Sequence, residues 1–362
     1  MSKFNKLKVI EVKNEIADAV SISFEVPAHL KENYHYKPGQ YTTLKLTIEG
    51  ENVNRSYSFC SSPYLYEPLT IAVKRVAGGK GSNFINDNFK PGFEIEVMEP
   101  LGNFYVTLDE KNEKQYILFG GGSGITPVMS ILKSVLAREP KSKVVLFYGN
   151  RNEDSIIFKD KLEKLCTEHP DRLKVVHILD APLKAWNSYT GFMVKDLALK
   201  LLRENTNLNF QHAEFFICGP TPMMKQVEEA LGVLQIQKDK IHIEYFTARA
   251  DEDKKAADVG TATQGAQLFN GKTRVKIIYD GNEREFEVSE KETILEAALD
   301  AGYDPPYSCM VAACCTCRAK LLSGKVEMDD RESLTDAEIS KGYVLTCQSH
   351  PKSHGIVLNY DM

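Results

Sequence analysis

Four cysteines fall within nine residues of the stretch YSCMVAACCTCRAK, Tyr307 to Lys320: Cys309, Cys314, Cys315 and Cys317, half of the eight in a chain of 362 residues. One more, Cys347, follows in VLTCQSHP. Cys309, Cys314 and Cys317 are spaced C-x4-C-x2-C. With a distant fourth thiolate, that spacing suits a [2Fe–2S] cluster, whose two bridged irons take three ligands from one tight loop and the fourth from a separate turn. So short a loop does not readily pair its own cysteines, because a disulfide needs particular Cα separations. A structural zinc site would use C-x2-C pairs, and only Cys314 and Cys317 have that spacing. Four buried free thiols are the remaining alternative. The expected metal ligands are Cys309, Cys314, Cys317 and Cys347, with Cys315 a spare thiol beside them.

A second candidate is FGGGSGITPVMS, Phe119 to Ser130, a glycine turn between an apolar strand and a helix. Glycines let backbone N–H groups approach the phosphates of a dinucleotide. Gly121, Gly122, Ser123, Gly124, Thr126 and Pro127 are therefore candidate nucleotide contacts, against the alternative of an ordinary structural turn. The next strand ends in YGNRNEDS, where Arg151 stands at the position of a 2′-phosphate partner, with Ser155 and Lys159 close by. NADPH is favoured on that ground; Asp154 would repel a 2′-phosphate, and NADH stays open.

The bulk composition narrows the class without naming a function. Hydrophobic residues make up 43% and charged residues 26%, as in ordinary globular proteins, and the net charge of −5 offers nothing to a nucleic acid. No apolar run approaches the ~20 residues of a membrane span. The N-terminus, MSKFNKLKVIEVKNE, is charged throughout and lacks an apolar signal core. A cytoplasmic protein is expected; thiols are kept reduced there, so clustered cysteines point to metal or catalysis.

The elements around these residues imply a multidomain chain. Residues 1–110 read as six short strands with alternating or β-branched content, broken at Pro38-Gly39, Gly50, Gly78-Gly79 and Pro91-Gly92: an antiparallel β-barrel. Residues 111–248 alternate strands and helices, the pattern of a doubly wound parallel α/β sheet. Residues 249–269, polar and rich in Ala, Gly and Thr, read as a flexible linker of roughly 25 Å root-mean-square span. Residues 270–362 start again with a hairpin around DGN, a helix in TILEAALDAG, the cysteine loop and a late strand pair.

On these motifs the chain resembles the ferredoxin–NADP reductase superfamily, and most closely the phenylacetyl-CoA epoxidase reductase family. RSYSFCSSP resembles its R-x-Y-S flavin motif. There an arginine neutralises the flavin pyrophosphate, a tyrosine packs its ring on the isoalloxazine, and a serine hydroxyl bonds near N5. Arg55, Tyr57 and Ser58 fill those places. In VKRVAGGKGSN, Gly81-Ser82-Asn83 looks like the second phosphate loop at a helix start, and Val73 and Lys74 on the preceding strand are counted with it. GGGSGITP is similar to the superfamily's nucleotide turn almost letter for letter. CGPTPMM resembles its C-G-P motif, which implies Cys218, Gly219 and Pro220 beside the nicotinamide; there Cys218 positions and does not attack. Glu244 and Phe246 in IEYFTA stand where the family has residues near the flavin. By resemblance the C-terminal part is a plant-type ferredoxin domain of α+β, β-grasp type. Two departures stand out: Ala312 replaces the family's loop glycine, and Cys315 replaces a small polar residue.

The resemblance implies FAD, with FMN as the alternative, and a relay of electrons from NADPH through FAD and the [2Fe–2S] cluster to a partner oxygenase, most like one acting on phenylacetyl-CoA. Ser58, Cys218 and Glu244 would carry the hydride-transfer site. A flavin accepts two electrons together and releases them singly, which joins a hydride donor to a one-electron cluster. The acceptor could instead be a Rieske dioxygenase, a desaturase or a hybrid-cluster protein. A redox-sensing binding protein is the reading from another class, against which the complete nicotinamide site argues.

Overall fold

The computed structural model describes residues 4–207, 212–246, 256–260 and 271–362. Its first six strands are β1 (Phe4–Ile16), β2 (Ala19–Glu25), β3 (Tyr41–Ile48), β4 (Glu51–Ser58), β5 (Leu69–Lys74) and β6 (Glu94–Met98), all antiparallel in the order β4-β3-β6-β1-β2-β5. Alternate residues such as Val9, Ile22, Leu44, Leu46, Ile71 and Val97 point inward and are fully buried, as the period of two requires. A bridge between Phe59 and Ile71 draws the two outer strands together. Helix α1 (Lys80–Asn88) plugs one end with Ile85.

The next unit holds β7 (Gln115–Gly121), α2 (Ile125–Arg138), β8 (Lys143–Asn150), α3 (Lys159–Glu168), β9 (Leu173–Leu179), β10 (Tyr189–Thr190), α4 (Lys195–Asn205), β11 (Ala213–Cys218), α5 (Thr221–Val233) and β12 (Ile241–Glu244). The strands are parallel, in the order β10-β9-β8-β7-β11-β12. Such strands are buried on both faces and read as continuous apolar runs, as YILF and FFIC do. The chain winds outward in opposite directions from β7 and β11, so the crevice at their C-terminal ends is where an open α/β sheet binds its ligand.

The last unit holds β13 (Ala257–Gly260), β14 (Lys272–Tyr279), β15 (Asn282–Ser289), α6 (Ile294–Asp300), β16 (Arg318–Ser323), β17 (Lys325–Met328), α7 (Asp336–Ser340), β18 (Tyr343–Leu345), β19 (Ser349–Pro351) and β20 (Ile356–Asn359). One sheet runs β15-β14-β20-β16-β18, the other β13-β17-β19. Asp280 and Gly281 turn the β14–β15 hairpin with φ of 52° and 69°, the paired positive values a two-residue turn needs. Thr293 and Glu296 form a capping box that starts α6.

One expectation needs correcting. The stretch 249–269, expected to be a linker, contains β13, which pairs antiparallel with β17 in the register Ala257↔Met328 to Gly260↔Lys325. Val259 is buried in the ferredoxin core. A single apolar residue in a polar run carries no periodicity, so the sequence alone does not announce this strand. Apart from Ala256, the rest of 249–269 lies outside the described residues.

Candidate flavin, nucleotide and cluster sites

The two nucleotide motifs meet backbone to backbone. Cys218 at the end of β11 is paired with Gly120 of β7. A Cβ on Gly124 would lie 2.2 Å from the Cys218 carbonyl oxygen, and one on Gly121 would lie 2.6 Å from Pro220 Cδ. Gly219 packs the same way, with its Cβ position 3.0 Å from Gly121. Thr126 Oγ1 donates to Ser123 O at 3.1 Å, and Tyr148 Oη donates to Gly122 O at 3.1 Å, which holds the turn open around Gly122 at φ 51°. Pro127 is buried in the first turn of α2. The barrel is tied to that helix by Ser130 Oγ, which donates to Ser61 O at 2.6 Å. Burial, then the charge of Glu244, pushes the Cys218 thiol pKa well up, so the group is a neutral thiol. Arg151 is exposed just past β8, with no acidic partner among the described residues. The Glu153 carboxylate next to it accepts the backbone N–H groups of Leu183 and Lys184 instead.

The flavin motif lies on β4. Ser58 is buried, Tyr57 half-buried and Arg55 exposed. Gly81 lies against Arg55: a Cβ there would come 2.8 Å from Arg55 Cγ. Helix α1 begins at Gly79 with no side-chain cap, so its first amides and the arginine form one anion cradle of the kind a flavin pyrophosphate needs. Ser82 and Asn83 face the turn and not open space. Ser82 Oγ accepts the Val76 N–H at 3.0 Å, and Asn83 Nδ2 donates to Val76 O at 3.1 Å. Val73 is buried, and its carbonyl accepts from Asn86; Lys74 reaches Asp18 at 3.7 Å. Val73 thus braces α1, and Lys74 ties its strand to the β1–β2 turn.

In the cysteine loop Cys309, Cys314, Cys317 and Cys347 gather in one apolar cluster. The neighbouring thiols and burial push Cys309 and Cys317 up, and Cys309 lowers Cys314. Among the described residues no three ligating side chains converge as a mononuclear metal site would require. Four thiols, three from one loop and one from a separate turn, are the donor set a binuclear cluster takes. Cys315 turns away: its Sγ lies 3.4 Å from Tyr41 Oη, and burial raises it to about 11. Ala312 sits at φ 56° and Met310 at φ 58°, so the loop adopts the left-handed backbone that favours glycine.

The flavin motif, the end of β12 and the cysteine loop share one cavity of about 360 Å³, lined among others by Arg55, Ser58, Glu244, Phe246, Cys309 and Cys314. Enclosure by protein, then the nearby Cys314, pushes the Glu244 carboxyl well above its usual range. The ferredoxin loop is held to the barrel by Ser56 Oγ donating to Ser308 Oγ at 2.9 Å, Asn54 Nδ2 donating to Tyr307 O at 3.0 Å, and the Lys45–Asp304 pair. None of these barrel residues, nor Tyr41, carries a local signal, because each partner lies more than 250 positions away along the chain.

Fold and site together define an electron-transfer oxidoreductase with flavin, pyridine-nucleotide and iron–sulfur domains. Residues 6–105 match the oxidoreductase FAD-binding domain, residues 118–229 the oxidoreductase NAD-binding domain, and residues 277–352 the 2Fe-2S iron–sulfur cluster binding domain. The chain is 36% identical to one of the subunits of 1,2-phenylacetyl-CoA epoxidase from Escherichia coli K12, over 100% of this chain and 99% of that one. It is 34% identical to the ferredoxin reductase component of 3-ketosteroid-9-alpha-monooxygenase from Rhodococcus rhodochrous, over 98% and 96% of the two chains. The solved structure of phthalate dioxygenase reductase shares the fold, with a TM-score of 0.58 at 24% identity over 98% of each chain. The chain belongs to the three-domain family of oxygenase reductases within the ferredoxin–NADP reductase superfamily. No helix among the described residues is long and apolar enough to cross a membrane.

Proposed function

We propose that this protein is the reductase component of a multicomponent oxygenase, passing electrons from NADPH through FAD and a [2Fe–2S] cluster to a partner oxygenase of the phenylacetyl-CoA epoxidase type. The observation that carries the proposal is that Ser58 of the flavin motif, Glu244 at the sheet end and the cluster cysteines Cys309 and Cys314 line one cavity. Bound FAD supplies the exchange between paired and single electrons.

The chain's own residues do the rest. Arg55 and the first amides of α1 bind the flavin pyrophosphate, Tyr57 packs on the ring, and the Ser58 hydroxyl orients N5. The turn Gly121–Gly124 with Thr126 and Pro127 offers backbone amides to the nucleotide phosphates, and Arg151 takes the 2′-phosphate. Cys218, with Gly219 and Pro220, seats the nicotinamide, while Glu244 and Phe246 close the cavity against water. Cys309, Cys314, Cys317 and Cys347 hold the cluster. Such a relay works in the cytoplasm, where NADPH is available and thiols stay reduced.

The test is to supply the purified holoprotein and NADPH to the oxygenase subunits of a phenylacetyl-CoA epoxidase and follow oxygenated product. Product formation that depends on this protein supports the reading; brisk cytochrome c reduction with no transfer to those subunits rejects the assigned acceptor. The ketosteroid monooxygenase component, almost equally similar over the whole chain, makes that oxygenase the second acceptor to try.

A further inference from the structure

Tyr41 belongs to the barrel by sequence and to the ferredoxin domain by packing. It starts β3, yet its side chain is buried in the apolar cluster formed by Val275, Ile277, Cys314, Cys315 and Leu345. Its Oη accepts the backbone N–H of Cys315 at 3.0 Å and lies 3.4 Å from Cys315 Sγ. Gly102, at φ +112°, makes room for the ring: a Cβ there would lie 2.9 Å from two ring carbons. Paired backbone hydrogen bonds with Leu101, both 2.9 Å, fix the tyrosine from the segment that follows β6. Across the β3–β4 ladder Tyr41 stands opposite Ser58. One residue therefore abuts the flavin-motif serine through its backbone and the loop between Cys314 and Cys317 through its hydroxyl. The flanking Lys45–Asp304 pair also joins the two domains, but it is partly exposed and does not reach that loop.

We propose that Tyr41 is a positioning residue for electron transfer from the flavin to the cluster, holding the Cys315 amide and hence the ligand loop at a set separation from Ser58. The step it serves moves one electron from the reduced flavin to the oxidised cluster; two such transfers discharge the electron pair of one hydride and release one proton. The inference rests on the relay proposed above. It goes further by assigning a role to a barrel residue that contacts neither the nucleotide turn nor the phosphate cradle, and it accounts for Cys315 through its backbone and not its thiol.

The experiment compares wild-type holoprotein with Tyr41→Phe and Lys45→Ala in anaerobic rapid mixing with NADPH, and titrates the cluster potential with dithionite. Tyr41→Phe should leave flavin bleaching unchanged, slow cluster reduction about fivefold, the effect of one lost buried hydrogen bond, and shift the cluster potential. Lys45→Ala should slow the transfer only in a salt-dependent manner and leave the potential where it was. The inference is overturned if Tyr41→Phe changes neither rate nor potential, or if Lys45→Ala moves the potential as far. Should wild-type protein fail to pass electrons from flavin to cluster at all, the relay itself falls. The dithionite titration of Tyr41→Phe, which needs no NADPH, still decides the tyrosine's contact with the cluster loop.

Discussion

Gly124 and Cys218 are in direct backbone contact, with a Cβ position on the one only 2.2 Å from the carbonyl oxygen of the other. No side chain fits there, so Gly124→Ala must push the glycine turn away from the C-G-P segment. Overpacking of this kind costs about 1–3 kcal/mol. The expected phenotype is a KM for the nucleotide raised about tenfold or more, with FAD content and the visible spectrum of the cluster intact. Steady-state kinetics beside an absorbance spectrum checks it, and an unchanged KM would show that the turn does not carry the nucleotide.

Arg151 is exposed and lacks an acidic partner among the described residues, while Glu153 is occupied by the Leu183 and Lys184 amides. Removing a charge-assisted bond costs about 1.5–3 kcal/mol. Arg151→Ala should raise the KM for NADPH about tenfold or more and leave that for NADH nearly unchanged. Equal changes for both coenzymes would reject the 2′-phosphate role.

The Cys315 side chain meets Tyr41, which sets it apart from Cys309, Cys314, Cys317 and Cys347. Cys317→Ser should abolish the cluster's visible absorption and leave flavin reduction by NADPH intact. Cys315→Ser, whose side chain faces Tyr41, should keep the cluster. A bleached Cys315→Ser protein would mean that the ligand set is wrong.

His177 on β9 lies opposite Tyr148, and burial, with Lys159 adding to it, lowers its pKa to about 4. Its Nδ1 has no hydrogen-bond partner among the described residues. Unfolded, the ring titrates near 6.5. The folded value is the lower one, so above pH 6.5 the residue is neutral in both states. As the pH falls from 6.5 towards 4 the unfolded chain takes the proton first, and stability drops by at most about 1.4 kcal/mol per unit. Thermal unfolding between pH 7 and 5 should show a loss that His177→Gln largely removes. A variant with the same pH slope would place the titrating group elsewhere.

The parts of the fold and site that could be read in the chain are those whose determinants are local. The C-x4-C-x2-C run, the glycine turn and the C-G-P segment each span only a few residues, and the alternating and continuous apolar runs separate the barrel from the parallel sheet. Side-chain direction was not legible in the same way. Gly81-Ser82-Asn83 does begin a helix next to Arg55, but Ser82 and Asn83 spend their polar groups on the preceding turn. The docking residues Tyr41, Asn54 and Ser56 stayed hidden because their partners come from the far end of the chain. The left-handed backbone at Ala312 falls where the resemblance implied a glycine.

Tyr41 and β13 also bear on how this chain can be cut. A fragment starting at residue 271 would keep Cys309, Cys314, Cys317 and Cys347 and the whole five-stranded sheet. It would lack the strand Ala257–Gly260 that covers β17, and the tyrosine ring that fills the core beside Cys315. The border visible in composition is therefore not the border of the folding unit. Any stand-alone version of the iron–sulfur part must carry residues 256–260, and must replace a side chain that only the barrel supplies.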